Sequence, residues 1–581
     1  MMIAALLLAV FINPASPKAV ERGPDAGRVA EIAKFLPERP AWTEPLSVAN
    51  PKKARELLAQ PIPDCADELY LLTTKTGNRS TYQKVYFGRQ TMLRELCAAE
   101  RVEGKGTYLA RIAELLEAFC AMRSWVMPAH DLKLVNFNGT GITVDLGSSG
   151  IAFLMSEVLE EVGDKLPPEL RARVRSETER RVFAPYRAAN AVSGIAGTDF
   201  KSNWWFFRRS NWNAVCHANV VRAALAAVED RADRAAFVEA AERAQLFFLE
   251  SFLPDGYCTE GGSYWNYGFG HFLMLCRAVK AATGGKVDFT RMPRAKEAML
   301  YGFRYRICGD ICPVFADGGD GAPSRNLLEL GVEFWPEMKP MLSERLPPRT
   351  YFPNAQVYIG RSSSFAIGAK GGTNAELHNH NDLGSYTLTC DGIEVAGDPG
   401  GEVYTRRTFS RDRYVSKVLN SYGHPVPVVA GELQLTGSNA FARVVGRSFD
   451  DDGRYDRFEL DLSAGYAAKP GYLHRRFELD RAASRVSISD EVSFSSPADF
   501  ETALVTFADV ERDADNGPLS LTAKSGAKSV RVKVQVEATG GEWRWEEDRI
   551  ENPGRRSPRR FAVRFLKPVS SASVRFVFSK E

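Results

Sequence analysis

The feature that most restricts this fold is a change of hydrophobic period partway along the chain. Up to about residue 340, apolar positions recur at spacings of three and four. Leu109, Ile112, Leu115, Leu116, Phe119 and Cys120 fall on one helical face. Further helices are read through 217–230 (HANVVRAALAAVED) and 234–253, with breaks such as Leu253-Pro254-Asp255-Gly256. Pro336, Pro340, Pro347 and Pro348 then interrupt the pattern. Beyond them the period is two. Val530, Val532, Val534 and Val536 alternate with charged or polar residues, and Val574, Phe576 and Phe578 do the same. The expected fold class is multidomain α+β: a helical toroid whose loops line one mouth, followed by antiparallel β-sandwich layers. The expected domains are 25–345 and 346–581, behind an N-terminal segment 1–24.

Composition excludes several functions. The 581 residues are 44% hydrophobic and 25% charged, which is neither a disordered nor a polytopic membrane composition. Net charge is +3 from 75 basic and 72 acidic residues, so no global field selects nucleic acid or a membrane. Nine scattered cysteines do not make a disulfide scaffold. Cys308 and Cys312 have the spacing for one bridge or half a metal site, but no second pair follows, and ordinary buried thiols are expected. The apolar run Ile3–Ile12 is too short to span a bilayer and suits the core of a secretory signal, although no Lys or Arg precedes it. Export to the periplasm or outside the cell is expected.

The densest chemistry lies in residues 376–434. ELHNHNDLGSY carries His378, His380, Asn381 and Asp382; EVAGDPGG carries Asp398; NSYGHPVPVV carries His424. Three of the chain's seven histidines lie here. Were the first stretch a strand, His378 and His380 would project to the same face. Imidazoles with a carboxylate form a zinc-type ligand set, and His380, Asp398 and His424 are the expected triple. His378, roughly 6.6 Å along such a strand, need not share that metal.

This stretch resembles the heparinase II/III-like polysaccharide lyases, through HNHND-x-G-S-Y, the DPG and NS-x-GH-x-VPVV. The helical half adds NWW (from Asn203), SNWN (from Ser210) and DGYCTEGGSYWNYG (from Asp255). The resemblance implies an incomplete (α/α) toroid followed by an antiparallel sandwich. It implies β-elimination at a uronic acid in an anionic polysaccharide or oligosaccharide. The C5 proton lies α to a carboxylate, so removing it requires that charge to be neutralised, and O4 must be protonated as it departs. On the family pattern Tyr264 is the base, the acid or both, with Tyr267 as the fallback. Asn211 and His378 donate to the carboxylate. The zinc at His380, Asp398 and His424 is mainly structural. Several relatives carry a histidine directly after that asparagine. Here Trp212 stands there, and His217 lies five residues on.

Trp205, Trp212, Trp265 and Tyr267 are expected to contact sugar, among a wider aromatic group with Trp204, Phe206 and Phe207. Arg413 is expected to bind an anionic group, with Arg208, Arg209 and Arg411 as further candidates. The loop from Phe315 to Asn326 offers Asp317 and Asp320 but lacks the spacing of a calcium loop. The basic run from Arg555 to Arg560 reads as a solvated turn, so no nucleic-acid partner is expected. Two other functions fit the same motifs: a uronyl C5-epimerase, and a non-catalytic zinc-containing glycan binder.

Overall fold

The computed structural model describes residues 23–581 apart from 45, 192–202, 319–320, 344 and 451–452. The Ile3–Ile12 run and Asp320 therefore lie outside the described residues. Among those described, no helix is long and apolar enough to cross a membrane, and all nine cysteines are free thiols.

The helical part and the antiparallel sheets follow one another as expected, but compactness divides the chain elsewhere than the proline cluster. One unit comprises Met1–Ser251 with Tyr267–Ala295, and the other Phe252–Asn266 with Lys296–Glu581. The prolines mark where helix gives way to strand. The helices Ala295–Arg304 and Arg325–Phe334 lie almost wholly with the sheets.

In the first unit, Leu109–Cys120 buries Ile112, Leu115, Leu116, Phe119 and Cys120, the stripe expected from the sequence. The central helix is Asn211–Ala227, longer at its start than expected and buried nearly all round. A helix buried on every side must be small, and Ala and Val fill it. Arg231–Leu249 follows, capped by the Asp230 side chain accepting from the Asp233 N–H.

The second unit is built of antiparallel sheets. Five strands run in chain order from Arg349–Phe352 to Ile393–Gly397. An eight-stranded sheet has Arg485–Ala498 and Val569–Lys580 at its centre, and a four-stranded sheet has Arg559–Phe565 and Phe500–Thr506. Their inner faces share one core, with Phe365, Ile367, Leu388, Phe458, Phe477, Ile488, Phe561 and Phe576. The period of two is its cause. Val530, Val532 and Val534 are buried while Arg531 and Gln535 face out.

Candidate functional site

The site-bearing loops of the second unit are set by glycine and by buried ions. In Glu260-Gly261-Gly262, Gly261 adopts φ +91°. A Cβ on Gly262 would stand 2.2 Å from the Gly321 carbonyl oxygen, so only glycine lets this loop close. A short helix, Gly262–Tyr264, follows, and then a π-helical turn, Trp265–Phe269. Such turns recur at functional sites. At Gly397 a Cβ would meet the Tyr386 carbonyl oxygen at 2.3 Å. That close approach ends the strand and delivers Asp398. Asp382 of the HNHND motif is structural: its carboxylate sits 2.7 Å from Lys370 Nζ, and both are buried.

The HNHND segment is not a strand. It leaves the short strand Thr373–Asn374 and runs as a loop, with His378 at φ +56°. For a non-glycine residue this left-handed backbone is strained, a condition that clusters at active sites. The Asp317 N–H, donating to the His378 carbonyl at 3.1 Å, helps to hold it. The two histidines share a carboxylate rather than a strand face. His378 Nδ1 is 3.0 Å from Asp317 Oδ2, and His380 Nε2 is 2.9 Å from Asp317 Oδ1. Burial alone would raise the Asp317 carboxyl. Hydrogen bonds from both imidazoles, with the charge of His380 and Arg413, instead hold it far below the usual carboxylate range.

Tyr264 stacks on His378, with ring centroids 4.2 Å apart, and its hydroxyl is 2.6 Å from that of Tyr404. The Tyr404 hydroxyl also lies 3.4 Å from His378 Nδ1. Burial and the Asp317 charge push the Tyr404 phenol well above its usual range. Glu260 Oε2 lies 3.8 Å from His378 Nε2. Two phenols, an imidazole and two carboxylates thus converge, with Tyr264 and His378 both half-buried. Asp317 and Tyr404 are additions to the residues expected from sequence. Asp317 lies in the loop weighed for calcium, but its partners here are cationic or N–H donors.

His380, Asp398 and His424 come together as expected. One ligand atom from each lies within 4.8 Å of the others, and all three residues are buried. Asp398 accepts from His424 Nδ1 at 2.9 Å, Ser385 Oγ at 2.6 Å and the Gly400 N–H at 2.9 Å. Burial lowers the His424 imidazole, but the Asp398 charge and hydrogen bond outweigh it and raise it. His380 Nδ1 and His424 Nε2 are buried without a hydrogen-bond partner. An orphaned buried nitrogen is costly, and two beside a carboxylate fit a bound cation of the zinc type.

Several expected sugar contacts are placed otherwise. Trp205 and Trp265 are 0% exposed. Their indole N–H groups donate to the carbonyls of Val144 and Ala298, so both are core residues with no ring face to offer. Arg413 is a brace: its guanidinium donates to the carbonyls of Asn379 and Thr408 and to Asp317. Asn211, Trp212 and Tyr267 belong to the first unit. Asn211 is the first helical residue after the Ser210 cap. Trp212 is half-buried and Tyr267 exposed. His217 is fully buried, bonded to the Tyr186 hydroxyl at 2.6 Å and the Phe206 carbonyl at 3.0 Å, and is structural. Cys308 and Cys312 are not bridged.

Residues 345–572 match the model of the heparinase II/III-like C-terminal domain family. No curated protein matches the sequence. A heparinase III structure superposes with a TM-score of 0.65 at 14% identity, over 96% of this chain and 89% of its own. A second heparinase III gives 0.63 at 12%, over 93% and 85%. The heparan sulfate lyase HepC from Pedobacter heparinus gives 0.59 at 10%, over 96% and 87%. At these identities the likeness is one of fold: the helical toroid and β-sandwich expected from the sequence.

Proposed function

We propose that this chain, whose residues 345–572 form a heparinase II/III-like C-terminal domain, is a polysaccharide lyase that cleaves a uronate-containing glycan by β-elimination. The observation that carries this is the Tyr264 hydroxyl, half-buried, stacked on His378 and 2.6 Å from a second phenol. Tyr264 removes the C5 proton and returns a proton to O4. Tyr404 holds its hydroxyl in line and shares the proton. Asp317 fixes the His378 ring through Nδ1, which leaves Nε2 to meet the substrate carboxylate. The two phenols touch, so proton removal and delivery fall on one face of the sugar. A C5-epimerase needs groups on opposite faces, and this favours elimination.

The orphaned nitrogens support a zinc ion held by His380, Asp398 and His424. Its role in this reading is structural: it ties the HNHND loop to the DPG turn and so steadies His378, two residues from a ligand. From the Ile3–Ile12 run we place the protein in the periplasm or outside the cell, where such polymers occur.

The test is one panel of alginate, heparan sulfate, chondroitin and bacterial exopolysaccharide uronates followed by ultraviolet absorbance. Elimination leaves a C4–C5 double bond conjugated to the carboxylate, so a growing band on at least one polymer is expected. Exchange of the C5 proton with solvent and no such band would assign the epimerase. Binding with neither would assign the non-catalytic reading.

A further inference from the structure

The β-rich unit holds a second concave site. A cavity of about 710 Å³ opens where the connector from Arg345 to Pro348 passes the turn Ser362-Ser363-Ser364, and none of the residues placed in the reaction or at the metal triple lines it. Its wall is rich in arginine. Arg345, Arg361 and Arg481 border it, and among the described residues Asp391 is the one carboxylate in the lining. Asp391 is already taken, paired with Lys580 Nζ at 2.6 Å.

The positive charge of this wall is not balanced within the fold. Arg361 is 7% exposed and spends every N–H on a neutral acceptor. Nε donates to the Ile307 carbonyl, Nη1 to the Pro347 carbonyl and the Thr350 hydroxyl, and Nη2 to the carbonyls of Arg304 and Arg306. Burial pushes this guanidinium down to about 10, which still leaves it charged at neutral pH. Arg481 shares the Asp456 carboxylate with Arg349, so two cations stand on one anion, and Arg481 Nη1 is buried with no acceptor. Arg345 is exposed and has no ion pair among the described residues. A buried charge without its counter-charge is costly, and an anion entering the cavity relieves that cost. Hydroxyls complete the lining. Ser362 Oγ is committed to the Phe365 carbonyl at 2.8 Å, whereas the hydroxyls of Ser363 and Ser364 have no partner among the described residues.

We propose that this cavity is an oxyanion site that takes a sulfate or phosphate group, free in solution or carried on a sugar. Arg345 binds the group with its forked guanidinium, and the hydroxyls of Ser363 and Ser364 donate to its oxygens. Arg361 has no N–H left to give, so it contributes charge rather than contact, and Arg481 adds to that charge. Fixed positive charge in a concave, partly desolvated wall attracts an anion more strongly than the same charge on an open surface. The site stands on its own residues and does not depend on the lyase reading.

The experiment is calorimetry of the full chain with sodium sulfate, sodium phosphate and glucosamine 6-sulfate, each against sodium chloride at equal ionic strength, with melting curves alongside. At least one of the three should bind and raise the melting temperature beyond chloride. Arg345→Gln should raise Kd for that anion about tenfold or more, and Arg345→Lys by less, since lysine keeps the charge and loses the fork. The Ser363→Ala, Ser364→Ala double variant should raise Kd roughly five- to tenfold. Arg555→Gln, at an exposed arginine elsewhere in the unit, should change nothing. Arg345 and Ser363 are exposed and Ser364 is half-buried, so these variants leave the core intact, and the melting curves check it. Glucosamine 6-sulfate binding more tightly than sulfate, with the gain lost in Arg345→Gln, supports a group carried on a sugar; equal affinities, lost in the same variant, support the free anion. No effect beyond chloride, or an affinity untouched by Arg345→Gln, overturns the site. Binding through Arg345 in a protein that forms no unsaturated product keeps the site and overturns the lyase.

Discussion

The helical unit and the β-rich unit bury imidazoles to the same depth and treat them in opposite ways. His217, His380 and His424 are all 0% exposed. His217 has both ring nitrogens bonded, one to a phenol and one to a carbonyl. His380 and His424 each keep one nitrogen with no partner. Burial is therefore a poor guide to function by itself. What separates a packing histidine from a ligand is whether its second nitrogen is satisfied within the fold. Where two unsatisfied nitrogens stand beside a buried carboxylate, the donor set is one that could hold a cation.

The largest effect expected falls on the tyrosine pair, and it sharpens the contrast between side chains that pack and side chains that react. Tyr264→Phe keeps the stacked ring and removes only the hydroxyl. Turnover should fall by about 10²–10⁴-fold, and further if the phenol serves as both base and acid, while Kd for an oligosaccharide stays put. Tyr404→Phe should cost less, since it assists rather than abstracts. Tyr267→Phe should remain active. A dead Tyr267→Phe beside an active Tyr264→Phe would move the chemistry to the first unit.

A smaller effect tests the orphaned nitrogens directly. Elemental analysis of protein purified without added metal should find about one zinc per chain. The His380→Ala, His424→Ala double variant should find none and melt at a lower temperature. Asp317→Asn keeps all three ligands but weakens the support of His380, and should cost about 10–100-fold in metal affinity. His378→Ala should lower kcat with zinc content unchanged. Stoichiometric metal in the double variant would reduce the cluster to a hydrogen-bonded polar core. An empty site in His378→Ala would make the two histidines joint ligands.

Much of this was legible in the sequence because it is local. The change of period announced helices and then strands, and the HNHND, DPG and GH motifs pointed to His380, Asp398 and His424, which do come together. The unread parts depend on long-range contacts. Asp317 meets His378 and His380 from 61 and 63 residues away, and an aspartate in a glycine-rich loop carries no mark of that. The strand expected for HNHND required an apolar alternation that ELHNHNDLGS lacks, and the left-handed His378 is sustained only by its tertiary partners. Asn203-Trp204-Trp205 is equally silent on which indole faces water. Trp205 goes inward because Val144 offers its carbonyl, and Trp204 is left outside. Arg413 was misread for the same reason: an arginine among polar residues advertises charge, while its buried acceptors cannot be seen.

The smallest effect concerns the satisfied histidine and is carried by pH. Burial pushes the His217 imidazole down to about 3, despite its bond to the Phe206 carbonyl; in an unfolded chain it titrates near about 6.5. Between those values the unfolded chain holds one proton more than the folded one. Stability from this group is therefore complete above about pH 6.5 and is lost as pH falls toward 3, at up to about 1.4 kcal/mol per pH unit. His217→Gln cannot take up that proton. At pH 7 the variant should be less stable by about 1–3 kcal/mol, because buried hydrogen bonds are broken. The gap to wild type should then narrow by about 1.4 kcal/mol for each unit of acidification below pH 6, since the other titrating groups are common to both proteins. Urea midpoints read from helical circular dichroism at pH 7, 6, 5 and 4 measure that gap. Parallel curves would mean that folded His217 accepts a proton as readily as the unfolded chain, and would end the claim that this imidazole is held neutral as packing.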